Sequence, residues 1–115
     1  VEDGAVRRLR LDDLIGRPLN NLDDEHLLSL IRGRRIFITG GGGSIGAALA
    51  HRVAGLQPAR LTVLDSSELN LFNIIAELPD AIPILADVRD ETTMRRWLAR
   101  ERPDLVFHAA ALKQV

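Results

Sequence analysis

Apolar and polar positions change their period several times along this chain. Residues 36–38, 61–64, 82–86 and 105–107 are short runs of mainly apolar side chains, each bounded by charged or turn-forming residues. Such runs predict strands buried on both faces, as in a parallel sheet. Between them the period lengthens to that of a helix. Ile45, Leu49 and Val53 recur every four residues among Ala47, Ala48, Ala50 and Ala54, which predicts a helix from Ser44 able to lie close to a sheet. Over 66–78 the apolar positions Leu71, Ile74, Ile75 and Leu78 follow i, i+3, i+4, i+7, and Pro79 stops the pattern. Asp90 is placed to cap a further helix with an apolar face of Met94, Trp97 and Leu98, and Pro103 follows its end. Pro83 lies near the start of the third run, where a sheet edge tolerates it.

A short packing helix precedes the first strand over 22–33. Asp23, Asp24 and Glu25 occupy its first turn, Leu27, Leu28 and Ile31 make a stripe, and Gly33 can close it. Residues 1–21 mix Arg7, Arg8 and Arg10 with Asp12 and Asp13 and show little periodicity, so they read as a solvated linker. Strand and helix then alternate four times over 22–115. Short right-handed crossovers turn that alternation into an α/β, Rossmann-like doubly wound parallel sheet of order 3-2-1-4. The pattern stops after the fourth strand, so the chain reads as the first part of such a fold, with a ligand expected over the carboxyl ends of the strands.

Composition narrows the function classes. With 115 residues the chain holds one domain with a modest core and no separate substrate domain. A net charge of −1 gives no electrostatic reason to expect nucleic acid as a partner. There is no cysteine and the three histidines are scattered, so neither a disulfide framework nor a metal site is expected, and a reducing, cytoplasmic setting fits. No apolar run approaches the ~18 residues that cross a bilayer.

The chemistry is concentrated in Thr39-Gly-Gly-Gly-Gly-Ser-Ile-Gly46. A glycine-dense turn between a strand and a small-residue helix can hold a diphosphate, because the backbone turns tightly and helix-start N–H groups point at the anion. Gly40, Gly43 and Gly46 fit T-G-x-x-G-x-x-G, and Thr39, Ser44 and Ile45 complete the candidate phosphate site. Asp65 ends the second strand 19 residues after Gly46, near the offset at which an acid accepts from the adenosine ribose hydroxyls, with Ser66 beside it. The alternative is that Asp65 caps the next helix, with Glu68 reaching back. A carboxylate there, with no arginine in the next few residues, repels a 2′-phosphate, so NAD is expected over NADP. Asp87 and Val88 follow the third strand, at the place where such folds meet adenine, although a turn-forming Asp explains the position as well. Ala109, Ala110 and Ala111 suit either a nicotinamide ribose near the backbone or plain close packing. His108 reads as a strand-end structural residue before a general base, and Lys113 faces either a ligand or water.

Together Thr39-Gly-Gly-Gly-Gly-Ser-Ile-Gly46, Asp65-Ser-Ser-Glu68, Asp87-Val-Arg-Asp90 and Val106-Phe-His-Ala-Ala-Ala-Leu-Lys-Gln-Val115 resemble the nucleotide-binding half of the polysaccharide-biosynthesis (CapD-like) nucleotide-sugar dehydratases and epimerases, within the extended short-chain dehydrogenase/reductase superfamily. Leu14-Ile-Gly-Arg-Pro18 is similar to the segment before the catalytic domain in longer members. The resemblance implies a lyase that removes water across C5 and C6 of a UDP-linked amino sugar of the UDP-N-acetylglucosamine type, with bound NAD or NADP taking a hydride from C4 and returning it. It places Gly40, Gly43 and Gly46 at the pyrophosphate, Asp65 at the ribose, Asp87 and Val88 at the adenine, Ala109, Ala110 and Ala111 toward the nicotinamide, and matches Lys113 to the family lysine. Gln114 stands where the family often has His. The family's catalytic acid and base lie past residue 115, and the chain has no tyrosine, so the fragment alone is expected not to turn over. A homo-oligomer and a membrane-anchored parent are also implied. A second reading, from another class, is a non-catalytic dinucleotide-binding regulatory module.

Overall fold

Four apolar runs become four parallel strands: β1 Arg35–Thr39, β2 Arg60–Asp65, β3 Ile82–Leu85 and β4 Leu105–His108. The structure, a computed structural model, describes residues 21–109. The strand order is β3-β2-β1-β4, with every pairing parallel, as expected for an α/β Rossmann-like sheet. The helices are α1 Asn21–Ile31, α2 Ser44–Ala54, α3 Glu68–Glu77 and α4 Glu91–Glu101. Of the expected linker, only Asn21 is described, and it opens α1.

Strand alternation sends side chains to two cores. Ile36, Ile38, Leu61, Val63, Leu105 and Phe107 pack with Leu49 and Val53 of α2, Leu71 and Ile74 of α3, and Leu27 and Ile31 of α1. Phe37, Leu64, Ile84 and Val106 meet Met94 on the opposite face, with Trp97 and Leu98 packed against them. Most of these side chains are almost completely buried, and each stabilises the fold by about 1.5–3 kcal/mol relative to exposure. Helices therefore cover both faces, which is why the strands read as continuous apolar runs instead of alternating ones.

Local signals set the element ends. Gly33 adopts φ +71 just after α1, and its N–H donates to the Gln57 carbonyl. Asp90 caps α4 by accepting from Thr93 N–H. Pro83 lies on the edge strand β3, level with Val63 of β2, and its side chain is exposed. At the amino ends of the strands, Arg35 and Arg60 stand side by side in register. Glu101, only 5% exposed, receives Arg60 Nε at 2.7 Å and Thr62 Oγ1 at 3.1 Å. Its own carbonyl accepts from Arg35 Nε at 2.8 Å. The last turn of α4 is thereby fastened to β1 and β2. Among the described residues no helix is long and apolar enough to cross a membrane.

Candidate functional site

Carboxyl ends of β1, β2 and β3 open onto one cleft, with Gly40 and Gly43 of the glycine turn among its walls. Gly40 takes φ +70, a conformation that side chains rarely adopt, and its N–H donates to the Leu64 carbonyl at 2.6 Å. A β-carbon on Gly46 would overlap the Gly40 carbonyl oxygen, so helix α2 can start against the turn only because residue 46 lacks one. Gly43, the residue before α2, differs. Its φ of −74 is ordinary, and the nearest atom to a β-carbon there would be Gly40 O at 3.8 Å.

The amino end of α2 is open. Gly43 offers no side-chain cap, and the first turn holds no acid to balance the helix dipole. The first helical bond runs from Ala47 N–H to Gly43 O, and the N–H groups of Ser44, Ile45 and Gly46 precede any intrahelical acceptor. These three residues line the cleft. An anion is the group such an arrangement attracts.

Asp65 is only 7% exposed and is oriented by two backbone amides. Its Oδ2 accepts from Gly42 N–H at 3.0 Å and its Oδ1 from Ser67 N–H at 2.8 Å. Ser67, not Asp65, caps α3, its hydroxyl accepting from Asn70 N–H at 3.1 Å. The capping alternative is corrected accordingly: α3 starts at Glu68 after the Asp65 turn, and among the described residues the Glu68 carboxylate accepts no hydrogen bond there. Asp87 closes a second turn. Its carboxylate accepts Arg89 Nη2 at 2.7 Å and Nε at 3.1 Å, together with Arg89 N–H at 2.9 Å. The Arg89 guanidinium, and then the amide, hold the Asp87 carboxyl down to about 2.

The cleft encloses about 330 Å³. It brings together Gly40, Gly43, Ser44, Ile45, Gly46, Asp65, Ser66, Asp87, Val88 and Ala109, all singled out from the sequence. Thr39 is not among its walls. That residue follows Phe37 in strand parity and is fully buried, its hydroxyl 3.1 Å from His108 Nδ1 and 3.4 Å from the Phe107 carbonyl, so it ties β1 to β4. Ala110, Ala111 and Lys113 lie outside the described residues. The sequence reading missed Leu64, Ser67, Asn70 and Ala86, which also line the cleft. Ser67 and Asn70 could have been found as a cap and its partner three residues on; Ala86, as the small residue ending the third run, carried only a faint signal. Among the described residues no cluster of three His, Asp or Glu is gathered as a metal ion would require.

A family model described as polysaccharide biosynthesis protein matches residues 36–115. The chain is 31% identical, over 97% of its length, to the probable polysaccharide biosynthesis protein EpsC of Bacillus subtilis (strain 168), and 29% identical, over its whole length, to the capsular polysaccharide biosynthesis protein CapD of Staphylococcus aureus. It covers 20% of each of those proteins, so it spans about a fifth of the length of these relatives. It is also 32% identical, over 72% of its length and 24% of the relative's, to a dTDP-L-rhamnose 4-epimerase of Burkholderia thailandensis. The chain belongs to this polysaccharide biosynthesis protein family, with the matched region running from Ile36, the second residue of β1, through the whole of the described cleft.

Proposed function

We propose, with membership of that family as the premise, that this chain is the NAD-holding part of a nucleotide-sugar 4,6-dehydratase or epimerase acting in polysaccharide or surface-glycan synthesis. Gly43 carries the reading: the fold leaves room for a β-carbon there, and the residue lines a cleft at a helix start without a side-chain cap. A diphosphate would take up that room. The N–H groups of Ser44, Ile45 and Gly46 would hold its charge, and Asp65 would accept from the ribose hydroxyls. Asp87 and Val88 stand where adenine would lie. Ala109, a wall of the cleft, would face the nicotinamide, together with Ala110, Ala111 and Lys113.

When bound, the dinucleotide supplies a hydride acceptor and donor. The chain's own residues bind and orient. On the family resemblance, acid and base for the proposed dehydration would lie past residue 115, as would the site for the UDP-linked amino sugar. The same reading makes the protein a homo-oligomer whose catalytic domain lies on the cytoplasmic side, with the intact parent anchored to the membrane.

Charge decides between the two dinucleotides. A 2′-phosphate would approach the Asp65 carboxylate, which would repel it. Calorimetric titration of the chain with both should therefore give tighter binding of NAD than of NADP. Asp65→Ala should narrow that preference by roughly tenfold, mainly by weakening NAD. Binding of neither, or tighter NADP than NAD, overturns the assignment.

A further inference from the structure

We infer that Asp65 and Gly42 together set the shape of the phosphate-binding turn, so that Asp65 serves the phosphate end of the nucleotide as well as its ribose; the ligand in this statement rests on the function proposed above. Gly42 is not a wall of the cleft, and its φ is not positive. Even so, a β-carbon there would stand 2.5 Å from Asn70 Cβ and 2.8 Å from the Asn70 carbonyl carbon. Helix α3, and not the ligand, requires a glycine at 42. The Gly42 N–H donates to Asp65 Oδ2.

Three consecutive amides are thus hung on the last two residues of β2. Gly40 and Gly41 N–H both donate to the Leu64 carbonyl, and Gly42 N–H donates to Asp65. Gly43 N–H then closes back on Gly40 O. The position of Gly43, and with it the direction of the α2 amides, follows from that anchoring. The other Asp65 oxygen holds Ser67 N–H, which fixes the first turn of α3 where Asn70 abuts Gly42. A carboxylate has about four acceptor sites, and two are taken here, so the ribose role remains open to the same group. Asp65 is therefore a positioning residue for the turn.

The test uses the whole chain with two probes, ADP and 2′,3′-dideoxy-ADP, the second lacking the hydroxyls that a ribose-reading Asp65 would meet. If Asp65 shapes the turn, Asp65→Ala weakens dideoxy-ADP by about tenfold, the effect of losing one charge-assisted hydrogen bond. Asp65→Asn, with one acceptor oxygen left, gives a smaller loss, and Gly42→Ala weakens dideoxy-ADP although residue 42 touches neither probe. Unchanged dideoxy-ADP affinity in Asp65→Ala, with loss confined to ADP, overturns the inference. Hydrogen exchange supplies a readout without ligand. In Asp65→Ala the Gly42 amide should exchange at least tenfold faster while the Thr62 and Val63 amides of β2 keep their protection, and an unchanged Gly42 rate overturns the inference. Should the parent bind no nucleotide at all, the proposed function fails, and the exchange result alone still decides the role of Asp65.

Discussion

Replacing Gly43 by valine separates what the fold needs from what the cleft holds. The backbone at 43, φ −74 and ψ 174, is extended and suits a β-branched residue. The nearest atom to the new β-carbon is 3.8 Å away, ordinary van der Waals contact. Valine is a poorer helix N-cap than glycine by up to ~1 kcal/mol, and the loss of a glycine from the unfolded chain returns about 0.4–1 kcal/mol. The melting temperature should then move by no more than a few degrees. Binding should behave differently. The added methyls occupy the space beside the Ser44 and Ile45 amides, and losing two charge-assisted bonds at about 1.5–3 kcal/mol each lowers NAD affinity by roughly a hundredfold to ten-thousandfold. Calorimetry with NAD and a thermal melt followed by circular dichroism report the two quantities on the same samples. Parent-like affinity in Gly43→Val refutes the phosphate assignment, and a melt lowered as far as binding would make residue 43 a packing glycine after all.

Gly46→Ala should act in the opposite manner: its β-carbon meets the Gly40 carbonyl oxygen, so the melt should fall by more than ten degrees whether or not nucleotide is present, and a parent-like melt would contradict the contact between turn and helix. Glu101→Gln should cost about 1–3 kcal/mol in chemical denaturation, a range set by the near-complete burial of Glu101 and the partial exposure of Arg60. The Arg60 hydrogen bond, with Thr62, holds the Glu101 carboxyl below the usual carboxylate range. A depressed folded pKa stabilises above the unfolded value, about 4.3, and that stability is lost as pH falls through the folded value. Parent stability should thus decline below about pH 4 more steeply than that of Glu101→Gln, and equal slopes would remove Glu101 from the account.

Periodicity carried the fold. Strands covered on both faces have to be apolar throughout, helices between them have to show a stripe, and right-handed crossovers then leave few sheet orders, of which β3-β2-β1-β4 is the one found. Most of the cleft was legible for the same reason, since a doubly wound sheet brings the ends of its strands to one place. What escaped were choices between chemically equivalent groups. Asp65 is followed by two serines, and the hydroxyl of Ser67 caps α3 while the Asp65 carboxylate accepts from Ser67 N–H and from Gly42 N–H, 23 residues away in sequence. Glu101 in a last helical turn reads as a solvated residue until β1 and β2 pair and bring Arg35 and Arg60 together beneath it. Thr39 is not among the walls of the cleft, and its burial follows from strand parity: two residues after Phe37, it shares the face of the sheet that α4 covers.

The glycines of the turn, alike in sequence, separate once their surroundings are known. Residue 40 needs a positive φ, 42 has α3 against it, and 46 has the Gly40 carbonyl against it, so each is explained by the protein alone. Residue 43 has an ordinary φ and room for a β-carbon, and the fold asks for glycine there only through its modest preference at a helix N-cap. A position that could carry a β-carbon, lies at the open start of a helix and lacks one is what the proposed diphosphate would account for. Gly43 is for that reason a better witness to the ligand than the spacing of the motif to which it belongs.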